Sequence, residues 1–283
     1  MHRVIACIDG SASAPAVCDY GAWASLRLAA PLVFLHVLDK RQYPVASDLS
    51  GNIGLGSREQ LLEELAALDE RRAKLALEQG RIMLAAALER AQKAGVETPV
   101  VRQRHGDLVE NLYELEDKLR LLVIGRQGES SAGASAHVGS QLESVIRLMH
   151  RPILVTPTEF SAPKSALVAF DGSPTTRKGV EMLAGSPLLK NLPIHLLTVG
   201  SENDETKAQM DWAKSVLSSA GFTVYGDIRN GDVESTIHAY QKEKDIDLLV
   251  MGAYGHSRIR RFLVGSVTTQ MLRSTTGALL LLR

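Results

Sequence analysis

The chain has 283 residues, of which 45% are apolar and 23% charged, and its 32 Lys and Arg balance 32 Asp and Glu. That length suits one large domain or two ordinary ones, and the neutral balance excludes a global field directed at nucleic acid or acidic membranes, so electrostatic recognition must be local. No 18 apolar residues run together, and the opening Met1-His-Arg-Val-Ile-Ala-Cys-Ile-Asp9 has the wrong length and flanks for a signal peptide; with only Cys7 and Cys18 as cysteines, a reducing cytoplasm is expected.

In chain order, short β-type runs alternate with helical periodicity. Strands are predicted near 3–9, 32–38, 97–103, 121–125 and 152–156, and again near 165–171, 193–199, 222–228, 247–252 and 277–282. Apolar runs of this length, bounded by turn residues and separated by helices, imply parallel strands covered on both faces. Cys7 falls in the first run and Cys18 in the helix after it, so no disulfide is expected. A polar, glycine-bearing loop over about 40–57 follows the second strand, and then a long helical pattern runs from Arg58 to Ala94. Its Leu61, Leu65, Leu68, Leu75 and Ile82 predict one apolar stripe laid on the sheet, with partner docking or lid motion as the alternative. Unbroken, it would reach roughly 50 Å, with Gly80 as a point of interruption. Phe160-Ser-Ala-Pro-Lys164, after Pro157, reads as a linker.

The chain is written twice. Val4-Ile-Ala-Cys-Ile-Asp9-Gly10-Ser11 recurs as Ala166-Leu-Val-Ala-Phe-Asp171-Gly172-Ser173, and Arg104-His-Gly106-Asp107 as Arg229-Asn-Gly231-Asp232. Leu121-Leu-Val-Ile-Gly125 recurs as Leu248-Leu-Val-Met-Gly252, Gly139-Ser140 as Gly265-Ser266, and Arg151-Pro-Ile-Leu-Val155 as Gly277-Ala-Leu-Leu-Leu281. Matched landmarks in one order predict two tandem α/β domains, 1–158 and 164–283, each a five-stranded, mainly parallel, doubly wound sheet with helices on both faces.

The chemistry concentrates after the fourth strand of the second copy. Gly252 and Gly255, nine further residues, and then Gly265-Ser266 opening a helix form a glycine-punctuated loop that carries His256, Arg258, Arg260 and Arg261. Glycines let a backbone approach a ligand, and exposed amides at a helix N-terminus bind anions, with Ser266 able to cap the helix or to donate to a phosphate oxygen. The plainer alternative is a tight turn with a capping serine. In the first copy Gly125, Gly128, Gly139 and Ser140 are present, but ten residues separate Gly128 from Gly139, and that loop lacks the arginines. An extra residue where amides must converge, and the lost charge-assisted contacts, make it the weaker site.

Each half resembles a universal stress protein domain, and the whole is similar to a tandem-type member of that family. Its ATP-binding members carry Gly, two residues, Gly, nine residues, then Gly-Ser or Gly-Thr, a spacing that Gly252, Gly255, Gly265 and Ser266 meet. The resemblance implies a Rossmann-like fold of the adenine nucleotide alpha hydrolase type. It implies ATP, AMP or ADP as ligand, with Mg²⁺ beside Asp171, and Val199 addressing the adenine edge through its backbone. His256 and Arg258 join the nucleotide-binding set, and Asp9 and Val37 are the first-half counterparts of Asp171 and Val199. It also implies an intramolecular pairing through the last strands, near 152–156 and 277–282, like a family dimer, and a further homodimer is open.

No general base or Walker-type lysine accompanies the glycine loop, so hydrolysis, if any, would be slow, and no catalytic residue is assigned. An adenylating synthase or nucleotidyltransferase would need Ser-Gly-Gly-x-Asp-Ser or His-x-Gly-His after the first strand, where both copies have Asp-Gly-Ser. A structural or protein-interaction module with vestigial nucleotide sites is the remaining reading. Histidines 2, 36, 105, 137, 150, 195, 238 and 256 have no ligand-type spacing, and Asp107 and Asp232 are expected to shape turns and helix starts.

Overall fold

Runs rich in Val, Ile, Leu and Ala become strands because both faces of each are covered. In a computed structural model describing residues 2–38, 55–128, 140–252 and 266–283 (for 55–62, 140 and 266 the backbone only), they are β1 (Arg3–Cys7), β2 (Leu32–Leu38), β3 (Val100–His105), β4 (Leu119–Gly125) and β5 (Ile153–Thr156). The second set is β6 (Ala166–Ala169), β7 (Ile194–Val199), β8 (Val224–Arg229), β9 (Leu248–Gly252) and β10 (Ala278–Leu282). The helices are α1 (Ala14–Leu28), α2 (Leu55–Lys93), α3 (Leu108–Leu115), α4 (Ser140–Leu148), α5 (Pro174–Ala184), α6 (Asp204–Ser219), α7 (Val233–Lys244) and α8 (Ser266–Ser274). Each expected strand is present. The third starts at Val100 rather than 97, just past Pro99, whose nitrogen cannot donate to a ladder.

The strands form one ten-stranded sheet in the order β3-β2-β1-β4-β5-β10-β9-β6-β7-β8. All neighbours are parallel except β5 and β10, which pair antiparallel with Val155 opposite Leu279, Leu154 opposite Leu280 and Ile153 opposite Leu281. The sequence repeat equates Leu154 with Leu280, so a local pseudo-twofold axis passes through that pair. The last strands therefore join as expected, and the two sheets continue into each other.

Side chains alternate along each strand, and the core divides by sheet face rather than by sequence copy. One face gathers Val4 and Ala6 with α1, α2, α5 and α6; the other gathers Ile5, Leu122 and Leu249 with α3, α4, α7 and α8. Both clusters contain residues from the two copies. Asp107 caps α3 by accepting from the Val109 and Glu110 amides, and Asp232 caps α7 through Ser235, as their turn positions implied.

The α2 helix runs through Gly80 unbroken, and its stripe from Leu65 to Ile82 does not lie on the sheet, the side chain of Leu61 being outside the described residues. Leu68, Leu75 and Ile82 are 43%, 64% and 57% exposed, while Ala76, Gly80, Leu84, Ala87 and Ala91 are buried. Apart from Leu84, the sheet-facing row is made of small residues at i, i+4 and i+3 steps, because the helix sits close. A Cβ on Gly80 would fall 2.6 Å from Cδ2 of His36 and 2.3 Å from Nε2 of Gln103.

Contacts across the seam are specific. Arg126, at the end of β4, donates to the Thr275 carbonyl and, at 2.7 Å, to that of Gly277. Arg27 donates to the Leu188 carbonyl at 2.5 Å and to that of Lys190. The linker is packed rather than loose: Tyr20 donates to the Ser161 carbonyl and meets Phe160 edge-on, with ring centroids 4.7 Å apart.

Candidate nucleotide site

In the second half the chain leaves β6 to reach β7 on one side, and β9 lies on the other, so the strand order reverses between β6 and β9. Open parallel sheets place ligands at the carboxyl ends beside such a switch. Asp171 follows β6, Val199 ends β7 half-buried, and Gly252 ends β9. The register, Ala169 opposite Leu197 and Val168 opposite Val250, brings these three strand ends side by side.

Asp171 is held by its own loop. Gly172 takes φ +72°, a left-handed turn that favours glycine, and Ser173 opens α5. The Ser173 amide donates to Asp171 Oδ1 at 3.0 Å, and the Thr176 hydroxyl donates to the same oxygen at 2.7 Å. Burial pushes the Asp171 carboxyl up, but the hydrogen bonds from Ser173 and Thr176 outweigh it and hold the group below the usual carboxylate value. Oδ2 has no protein partner among the described residues. Gly252 fits against the same loop, since a Cβ there would lie 3.3 Å from Thr175 Cγ2 and 3.6 Å from Thr176 Cγ2. Thr176 thus ties Asp171 to the strand end of Gly252. Sequence reasoning did not single it out, although Ser-x-x-Thr at a helix start is a capping signal.

Gly255, His256, Arg258 and Gly265 lie outside the described residues, as do Arg260 and Arg261; Ser266 begins α8, its side chain likewise outside.

In the first half a cleft of about 1070 Å³ opens at the carboxyl ends of β1, β2 and β4. It brings together Asp9, Val37, Gly125 and Gly128, with Ala76 and Met83 of α2 as a wall. Gly139 lies outside the described residues, and Ser140 begins α4, its side chain also outside. A Cβ on Gly125 would sit 2.9 Å from that of Ser13, and one on Gly128 would sit 3.3 Å from Asp9 Oδ2. The Ser11 amide donates to Asp9 at 3.1 Å, yet the counterpart of Thr176 is Ala14, which has no hydroxyl to repeat that bond.

Two further positions correspond across the halves. His36 Nδ1 lies 3.0 Å from the Ile8 carbonyl, and Thr198 donates to the Phe170 carbonyl at 2.8 Å. A carbonyl only accepts, so His36 carries its proton on Nδ1. Each side chain anchors the residue just before the aspartate. Arg126 lines the first cleft, but its guanidinium is spent on the carbonyls of Thr275 and Gly277. The cation nearest to that half's glycines therefore serves the seam.

Cys7 and Cys18 are free, and burial first, then Asp9 and Asp19 respectively, pushes both thiols up to about 12. Among the described residues no group of three or more His, Cys, Asp or Glu could hold a metal ion, and no helix is long and apolar enough to cross a membrane.

The chain matches the Universal stress protein family over residues 1–157 and 200–283. It is 39% identical to the universal stress protein Slr1230 of Synechocystis sp. over 287 residues, covering all of both chains. A universal stress protein of Mycolicibacterium smegmatis is 22% identical over 305 residues, covering all of this chain and 97% of its own. Its fold is shared with a crystal structure of a universal stress protein from Archaeoglobus fulgidus, TM-score 0.71 at 17% identity, covering 99% of this chain and 98% of that one. The chain belongs to the universal stress protein family.

Proposed function

We propose that this protein is a nucleotide-binding stress-response regulator of the cytoplasm, built of domains 1–158 and 164–283, that takes ATP or AMP mainly in its second half. The observation that carries this is the convergence of Asp171, Val199 and Gly252 at a strand-order reversal, with Gly255, Gly265 and Ser266 following at the family's nucleotide spacing. Asp171 is fixed through Oδ1, which leaves Oδ2 for a ribose hydroxyl or for Mg²⁺ carried in by the phosphates. The amides of Gly265 and Ser266, with the Ser266 hydroxyl, cradle the phosphate, and His256 and Arg258 add charge. Gly125, Gly128, Gly139 and Ser140 form the weaker cradle, because Asp9 lacks a Thr176 equivalent and Arg126 is committed to the seam. Nucleotide then acts by altering conformation or a partner surface, with slow hydrolysis at most.

Equilibrium dialysis with labelled ATP and Mg²⁺ tests the reading. About one ATP per chain should bind, and Gly265→Val, which puts a branched side chain against the phosphate path, should lower affinity at least about tenfold. Gly139→Val should leave that binding in place. Negligible binding by the wild-type chain would leave the family's fold as an interaction module and overturn the nucleotide reading.

A further inference from the structure

The long helix α2 changes character along its length. Among the described residues, none from 63 to 75 is buried, whereas from Ala76 onward a residue of every turn packs against the body. The exposed stretch is not a polar spacer, because Leu68, Leu75 and Ile82 recur every seven residues, with half-exposed Leu65 on the same face. A seven-residue apolar repeat on a helix surface supplies one of the two core positions of a coiled-coil seam, and Leu65, Arg72 and Gln79 fill the other. A helix with no packing along several turns is marginal in water, so this stretch needs a partner to be stable.

We propose that α2 is a dimerisation helix and that its partner is the α2 of a second copy of this chain, running antiparallel about an axis between Ala73 and Lys74. Four observations favour this occupant. In that register Leu65 meets Ile82 of the second copy, Leu68 meets Gln79 and Leu75 lies along the stem of Arg72, each contact occurring twice. The flanking charges match, since Arg71 falls beside Glu78 of the second copy, again twice. A parallel arrangement instead puts Arg72 against Arg72 and Glu64 beside Asp69, like charges in both cases. The axis also falls where the free stretch ends, so the unpacked half of each helix lies along the flank of the other's packed half, beside the first-half cleft that Gln79 lines. The seam between β5 and β10 is not used, so this pairing joins two whole chains, and it does not depend on bound nucleotide.

Sedimentation equilibrium of the full chain over a micromolar range, with light scattering, should show a dimer. Leu75→Glu should make it monomeric, with far-ultraviolet circular dichroism falling by no more than the helix of the free stretch, because Leu75 is already exposed and no core contact is lost. Leu26→Glu, at a leucine of α1 that is half exposed, should leave the dimer intact. Arg71→Glu and Glu78→Arg should each weaken association about tenfold, since each sets like charges opposite one another twice. The two substitutions combined in one chain should restore it. A monomer at all concentrations overturns the proposal, as does a dimer indifferent to Leu75→Glu. Failure of the combined charge swap to rescue the single variants overturns the antiparallel register.

Discussion

At the scale of residues, the setting of Asp171 in the second half turns on one hydroxyl. The Thr176 hydroxyl donates to Asp171 at 2.7 Å, and its counterpart in the first half is alanine. Replacing it with valine keeps the branched shape and deletes the donor. Burial then acts on Asp171 with less opposition, so its carboxyl should titrate higher in Thr176→Val, as carbon-detected NMR would follow. The sign for stability is that of a depressed acid: the bond stabilises the fold above the unfolded value, near 4, and is lost as pH falls through the folded one. Urea unfolding should find Thr176→Val about 1 kcal/mol less stable at pH 7, and the difference should shrink towards pH 3. An equal deficit at both pH values would mean that the threonine acts by packing alone.

The elements show what periodicity can and cannot reveal. The strands were legible because both sheet faces are covered, so their apolar runs are nearly continuous, and the duplication fixed their order. The resemblance named Asp171, Val199 and Gly252, and the structure puts all three at carboxyl ends of neighbouring strands. His36 and Thr198 escaped notice because a histidine and a threonine do the same job, and no repeat of residue type marks it. On α2 the largest residues mark the exposed face, since the sheet-facing row was chosen for closeness rather than for apolar bulk. Gly80 is the test of that view. In an exposed helix interior, Gly→Ala would stabilise by up to about 1 kcal/mol. Here His36 is held by the Ile8 carbonyl and cannot retreat, although the end of Gln103 can. Gly80→Ala should therefore destabilise by about 1 kcal/mol and Gly80→Val by about 3 kcal/mol, measured by denaturant unfolding. A stabilised Gly80→Ala protein would show that α2 can lift from the sheet at little cost.

For the whole molecule, tandem copies ordinarily suggest two units that unfold separately, but the core argues against it. Each hydrophobic cluster crosses from one copy to the other along one face of a continuous sheet, and Arg126 and Arg27 reach over the seam to backbone carbonyls. Breaking either half would expose the apolar surface of β5 or β10 and strand those carbonyls. Nature has placed a reporter on each side: Trp23 in α1 and Trp212 in α6, the only tryptophans in the chain. Trp212→Phe leaves fluorescence from the first half alone, and Trp23→Phe leaves the second. With each variant's own circular dichroism as reference, the fluorescence and dichroism midpoints should coincide in urea, as two-state unfolding requires. Adding Arg126→Ala removes a charged donor to two carbonyls and should cost about 2 kcal/mol. Because the seam belongs to both halves, that loss should lower both tryptophan midpoints together. If only one falls, or if the two reporters separate in the parent chain, the halves are independent domains that merely touch.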